Sequence, residues 1–294
     1  MKLRLRDSVL QLEPGAPLLM GIVNATPDSF SEPPGRKALG ELVARAHTMV
    51  EHGARIVDVG GESGRTDRET IPVREEIARV TPLVERLVDD GLTVSVDTWR
   101  AEPARAALAA GAAMVNDVSG LAEPALADLC AEAGAALVVA HTRAAPKEKR
   151  FPDYDGDVVA DVARLLTERA AAARGRGVGD DQLLLDPGID LAKTPAESVE
   201  VLRRLGELDG LRRPLLLAIS RKDFLGALTG RSPADRDAAT LAAVEPALEC
   251  PAAVLRVHDV RAVADFLRVR AALRGRLKLP RGALSEPLRR EAAA

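Results

Sequence analysis

The sequence predicts an α/β protein folded as one (β/α)8 (TIM) barrel, and three observations carry that reading. Short apolar runs alternate with longer amphipathic segments along most of the chain. Eight such units fit within about 260 residues, the usual size of one barrel. Every apolar run also ends in a polar residue or a glycine turn.

Composition sets the frame. The 294 residues are 47% hydrophobic and 29% charged, which supports a sizeable core under a solvated surface. The net charge of −3 and an aromatic content of 2% argue against a nucleic-acid partner, which needs basic surface and rings to stack on bases. Cys130 and Cys250 stand alone inside Ala/Leu-rich stretches, so they read as buried thiols rather than a disulfide or a zinc site. The first residues carry no apolar signal core, and no apolar run is long enough to span a bilayer. A cytoplasmic protein without membrane contact is expected.

The predicted strands are Pro17–Val23, Arg55–Val59, Thr93–Val96, Ala113–Val115, Ala135–Ala140, Gln182–Leu185, Pro214–Ile219 and Ala252–Val257. Each is short and rich in Val, Leu, Ile or Ala, as parallel strands buried on both faces must be. The segments with helical spacing are Lys37–His52, Val73–Asp89, Ala101–Ala110, Pro124–Ala133, Asp157–Arg174, Pro195–Glu207, Asp237–Glu249 and Val260–Leu273. Thr194-Pro195 and Glu123-Pro124 are N-terminal helix signals. A doubly wound open sheet is the structural alternative, disfavoured by eight regular units without a Gly-x-Gly-x-x-Gly turn. Residues 1–276 form the expected domain, and the Pro/Gly/Arg/Ala-rich 277–294 a flexible tail.

Catalytic groups in such a barrel come from the C-terminal ends of the strands. Here those ends carry Asn24, Gly60-Gly61-Glu62, Asp97, Asn116-Asp117, His141, Asp186, Ser220-Arg221-Lys222, and Arg256 with His258. Polar groups converging from eight separate segments make a site, although Asp186-Pro187-Gly188 alone also reads as a turn and Asn116-Asp117 as a cap. Asp97, Asn116 and Asp186 offer acceptors and an amide, which suits a flat heterocycle rich in N–H donors. Lys222, Arg256, His258 and Arg65 suit an anion such as diphosphate. Asn24 offers an oxygen to Mg²⁺, whose other ligands are normally waters and phosphate oxygens. The charges thus predict a ring at the centre and a phosphorylated group at the rim. His141 is expected to face the mouth, with no assigned role. Two polar loops, 26–38 and 62–70, read as lids or as plain surface loops.

The segments Met20-Gly-Ile-Val-Asn-Ala-Thr-Pro-Asp-Ser-Phe-Ser31, Asp58-Val-Gly-Gly-Glu-Ser63, Ser95-Val-Asp-Thr98, Val115-Asn-Asp-Val-Ser-Gly120, Leu185-Asp-Pro-Gly-Ile189, Ser220-Arg-Lys222 and Leu255-Arg-Val-His-Asp-Val260 occur in the order of one family's motifs. Over residues 17–273 the chain resembles the dihydropteroate synthases. The resemblance implies condensation of a dihydropterin-methyl diphosphate with the aryl amine p-aminobenzoate, giving dihydropteroate and diphosphate. It places pterin contacts on Asp97, Asn116, Asp186 and Lys222, and diphosphate contacts on Asn24, Arg65, Arg256 and His258, with Mg²⁺ on Asn24. Glu32, Arg65 and Lys222 are the expected catalytic residues. A homodimer is also implied.

The acceptor pocket departs from the family pattern. Phe30 is kept, but Glu32 stands where Asp is usual, Gly64 for Thr, Thr66 for Pro, and Leu191 where an aromatic wall is usual. Asp223 follows Ser-Arg-Lys where Ser is common, at a helix N-terminus expected to receive the acceptor carboxylate. A carboxylate there would repel that anion by about 1–3 kcal/mol. The sequence therefore also admits a paralogue that binds the same pterin diphosphate but uses another acceptor, or none.

Overall fold

The computed structural model describes residues 1–25, 36–64, 66–279, 282 and 288. The N-terminal strands β1 (Lys2–Arg4) and β2 (Val9–Gln11) form an antiparallel hairpin. The chain then alternates strand and helix: β3 (Leu18–Asn24), α1 (Arg36–Glu51), β4 (Ala54–Gly60), α2 (Val73–Asp89), β5 (Val94–Asp97), α3 (Ala101–Ala109), β6 (Met114–Asp117) and α4 (Ala125–Ala133). It continues through β7 (Ala136–Ala140), α5 (Val158–Gly175), β8 (Leu183–Asp186), α6 (Pro195–Arg203), β9 (Leu215–Leu217), α7 (Asp223–Thr229), α8 (Asp237–Val244), β10 (Ala253–Val257) and α9 (Val260–Leu273). Strands β3 to β10 close in sequence order into a parallel barrel. The open-sheet alternative falls with that closure.

Side-chain alternation sorts each strand into two cores. Met20, Ile56, Met114, Val138, Leu184, Leu216 and Val254 point inward and fill the lower lumen. Their sequence neighbours, such as Val57, Val59, Val94, Val96 and Val115, point outward and pack under the helices. The hairpin, absent from the expected elements, closes the bottom by burying Leu3, Leu5 and Leu12 in the inner core.

The helix signals act locally as their chemistry requires. Thr194 and Glu197 form a reciprocal capping box with Pro195 in the first turn of α6. Asp157 accepts from the N–H groups of Val159 and Ala160, and Asp259 from that of Ala262. Two helices are shorter than predicted. The α6 segment gives way to a 3₁₀ turn over Leu205–Leu211, and α8 to one over Glu245–Glu249. Pro246, which cannot continue an α-helix, sits at the second break. Along α9, Val260 and Val263 are buried, and Phe266 and Leu267 pack against them, so this apolar face serves the core. No helix of the described residues is long and apolar enough to cross a membrane. Cys130 and Cys250 are buried free thiols, and burial raises both pKa values, to about 12 and about 11.

Candidate active site

At the top of the barrel the inward positions change from apolar to polar. One register row runs Asn24–Gly60–Asp97–Asn116 across β3 to β6. Gly60 leaves room between its neighbours: a Cβ there would lie 3.5 Å from the Asn24 Oδ1 and 3.7 Å from the Asp97 Cβ. The row below brings in Asp58 and Ser95. Asp186 ends β8 opposite Ala140, so its carboxylate enters the same lumen.

The resulting throat is dense in acid. Asp58 is fully buried, and Asn116 and Asp186 nearly so. The Asn116 Nδ2 donates to the Asp58 Oδ2 at 3.0 Å, while the Arg256 Nε donates to the same oxygen at 2.6 Å. The Arg256 Nη2 also donates to the Asp97 Oδ2 at 2.6 Å. Among the described residues, three buried atoms here have no hydrogen-bond partner: the Asp58 Oδ1, the Ser95 Oγ and the Asn116 Oδ1. Unpartnered polar atoms are rare in protein interiors and mark a place where a polar ligand fits.

Electrostatics follow from this crowding. Burial raises Asp97 to about 7; Arg256 opposes the shift, whereas Asp58 and Glu76 add to it. Burial also raises Asp186, against the Gly188 N–H and the charges of Lys222 and Lys193. Lys222 lies within electrostatic range of both acids, just before α7. Burial and then the Arg221, Arg256 and Arg45 charges lower His258 to about 4, so its imidazole is neutral near pH 7. Its Nδ1 sits 2.9 Å from the Ser220 Oγ.

The structure brings Asp97, Asn116, Asp186, Lys222, Arg256 and His258 to one end of the barrel, with Asn24 at the head of the register row. It corrects the expected division into an acidic centre and a basic rim, because Arg256 lies among the acids. Position 256 faces inward, and buried carboxylates without a countercharge are costly, so the long guanidinium reaches them. The expected contacts Phe30, Glu32 and Arg65 lie outside the described residues.

Sequence reasoning missed Asp58 as a site residue. Its signal was a lone acid inside the run Arg55–Val59, two residues beyond the inward Ile56. The two open readings divide between neighbours. Asn116 faces the lumen, whereas Asp117 faces away and organises the following turn, accepting from Ser119 and Leu121. Asp186 does both, lining the throat and accepting from the Gly188 N–H at 2.7 Å. His141 does not face the mouth. Strand alternation turns it outward, where its Nε2 donates to Asp161 of α5 at 2.9 Å. Glu62 is likewise structural, buried in ion pairs with Arg100 and Lys147. Trp99 is half-buried with the Arg100 guanidinium over its ring, and His47 ties α1 to Asp90.

On the acceptor side, Gly64 and Thr66 are exposed and Leu191 is half-buried. Asp223 starts α7 but turns to solvent, its Oδ1 accepting from Arg236 at 3.1 Å. That pairing offsets the charge on which the repulsion argument rests. Asp190, which sequence reasoning did not single out, takes the helix end instead. Its Oδ2 accepts from the N–H groups of Asp223 and Phe224, and its Oδ1 from the Ser198 hydroxyl.

Comparison with known proteins agrees with this geometry. Residues 20–258 match the family of pterin binding enzymes. The chain is 40% identical over 259 residues to the dihydropteroate synthase of Synechocystis sp., covering 87% of this chain and 89% of that one. The Xanthomonas albilineans dihydropteroate synthase with 4-aminobenzoic acid superposes with a TM-score of 0.84 at 42% identity, covering 93% and 99% of the two chains. The same enzyme in complex with 7,8-dihydropteroate gives 0.82 at 41% identity, with the same coverage. The chain belongs to the dihydropteroate synthase family of pterin-binding enzymes, transferases of folate biosynthesis.

Proposed function

We propose that the barrel's upper end joins (7,8-dihydropterin-6-yl)methyl diphosphate to p-aminobenzoate, releasing dihydropteroate, diphosphate and a proton. One observation carries the reading: Asp97, Asn116 and Asp186 converge on one lumen in which buried polar atoms have no partner among the described residues. Such a lumen fits the donor-rich edge of a dihydropterin, read by carboxylates and an amide. Lys222, beside Asp186, contacts the ring from the start of α7.

The bond to be broken joins the pterin methylene carbon to a diphosphate oxygen. The diphosphate leaves with the electron pair, which Arg256 and the expected Arg65 accommodate by charge and the neutral His258 as a hydrogen-bonding neighbour. The carboxylates of the throat stabilise the delocalised cation left on the pterin, and the aryl amine nitrogen attacks it and then loses a proton. No protein nucleophile is needed.

Among the described residues no cluster of three or more His, Cys, Asp or Glu side chains could hold a metal by itself. Asn24 would be the protein oxygen offered to a Mg²⁺ whose other ligands would be diphosphate oxygens and waters. Such an ion would supply charge neutralisation for the leaving group. A cytoplasmic setting keeps Cys130 and Cys250 as thiols. The proposed homodimer draws on Val269 and Leu273, which α9 leaves exposed. Light scattering tests it directly.

A second reading keeps the pterin chemistry and changes the acceptor. It is favoured by Asp190, whose carboxylate takes two N–H groups at the start of α7. One assay separates the readings: dihydropterin-methyl diphosphate, Mg²⁺ and p-aminobenzoate, with diphosphate and dihydropteroate both followed. Equal yields of the two products support the synthase. Bound pterin diphosphate without dihydropteroate supports another acceptor, and no pterin binding removes both readings.

A further inference from the structure

Beneath the turn that follows β8 lies a buried polar chain that no step of the reaction uses. Lys193 is 2% exposed, although its side chain ends in an amine. Its Nζ lies 2.7 Å from the His141 Nδ1, 2.9 Å from the Gly188 carbonyl and 3.3 Å from the Leu191 carbonyl. Asp161 fixes the histidine tautomer. It is held well below the usual carboxylate range, because hydrogen bonds from Arg143, His141 and Arg164 outweigh the burial that opposes ionisation. It accepts the His141 Nε2–H, which leaves Nδ1 as an acceptor. With the His141 carbonyl at 3.4 Å, four acceptors surround the Lys193 Nζ, enough to take every proton it carries.

The turn held in this way carries two groups that matter above it. Asp186 accepts from the Gly188 N–H, so the Gly188 backbone fixes its carboxylate. Asp190 accepts from the first N–H groups of α7, directly after Lys222. The fit is close. Gly188 has φ +70°, and a Cβ there would fall 1.9 Å from the His141 carbonyl oxygen. Tyr154 adds a second anchor, donating to the Ala192 carbonyl at 2.8 Å.

We infer that Lys193 is a positioning residue: through His141 and Asp161 it ties the turn after β8 to helix α5 and so sets the Asp186 carboxylate and the start of α7. It acts on the Asp186–Lys222 half of the throat and not on the Arg256–His258 half. The consequence for binding rests on the pterin reading above; the consequence for the backbone does not.

Two measurements test it on the full-length protein. In hydrogen exchange, Lys193→Met should speed the amides of Gly188, Asp223 and Phe224 at least tenfold and leave that of His258 unchanged. In calorimetry, the same variant should weaken dihydropterin binding about tenfold while inorganic diphosphate binding stays within about twofold. Asp161→Asn, a gentler change should Lys193→Met fold poorly, should show the same pattern at smaller size. The double variant should match Lys193→Met alone, because both act along one chain. Unchanged exchange at Gly188 and Asp223, equal loss of both ligands, or additive effects in the double variant would overturn the inference. If wild-type protein ignored dihydropterin while exchange responded as stated, the positioning role would stand and the functional reading would fall.

Discussion

The two ends of the lumen are built from the same eight strands and the same inward-facing alternation, yet they differ in every other respect. At the bottom, Met20, Ile56, Met114 and Leu184 meet Leu3, Leu5 and Leu12 of the hairpin in a closed apolar plug. At the top, two residues further along several of the strands, the same stripe becomes Asp58, Asn116, Asp186 and Arg256. The lower end gains stability from burying carbon. The upper end gathers buried acids around one guanidinium, and three of its polar atoms find no partner among the described residues. The division separates what holds the barrel together from what it is for.

Substitution should break the two ends in opposite ways. The largest effect belongs to the top. Asp186→Asn or Lys222→Ala should lower kcat/KM for the pterin diphosphate about a hundredfold or more, the scale of removing one preorganised polar contact. Thermal unfolding should show a midpoint no lower than wild type for Asp186→Asn, because a buried carboxylate disappears. At the bottom, Leu5→Ala should cost about 2–5 kcal/mol in a urea titration and leave kcat/KM of the folded fraction unchanged. A loss of stability at Asp186 with none at Leu5 would erase the comparison.

A smaller effect comes from pH. Burial pushes the Asp97 carboxyl up to about 7, far above the ordinary value of 3.8. A raised carboxylate pKa means that between those values the folded protein holds a proton the unfolded chain has released. The contribution of Asp97 to stability therefore falls as pH rises towards 7, the reverse of an ion-paired surface carboxylate. Ligand binding runs the other way, since the ionised form is the acceptor for ring N–H donors. Dihydropterin affinity should drop several-fold, on the order of tenfold at most, from pH 7.5 to pH 6, and Asp97→Asn should abolish that slope.

The smallest effects lie at the acceptor side. Asp223→Ser should change KM for p-aminobenzoate by less than about twofold, because Arg236 already offsets the exposed carboxylate. Asp190→Gly frees two helix N–H groups and should lower that KM by a larger factor. The reverse order would restore Asp223 as the residue that repels the acceptor.

Much of this was legible in the chain. Strands buried on both faces announce themselves as unbroken apolar runs, and a barrel's chemistry sits where those runs stop. Hence Asn24, Asp97, Asn116, Asp186, Arg256 and His258 were found from position alone. Other features depend on what linear order does not carry. The β1–β2 hairpin has two three-residue strands outside the strand–helix period, so only the alternation of Leu3 and Leu5 hinted at it. Arg256 was placed at the rim because its Cα lies near the strand end, and only the fold shows how far the guanidinium reaches. His141 needed the parity of β7 to be turned outward. Asp190 and Lys193 lie in the loop after β8, where linear order names no partner for either. Their roles rest on contacts with α7, β7 and α5 that lie distant in sequence.

The central claim is that the polar end of the lumen holds the pterin ring. A crystal structure with dihydropterin-methyl diphosphate bound tests it most directly. The ring edge should lie within hydrogen-bonding distance of Asp97, Asn116 and Asp186, with the diphosphate towards Arg256 and His258. A ring seated outside the barrel, or one that leaves all three of those side chains without contact, would contradict the account.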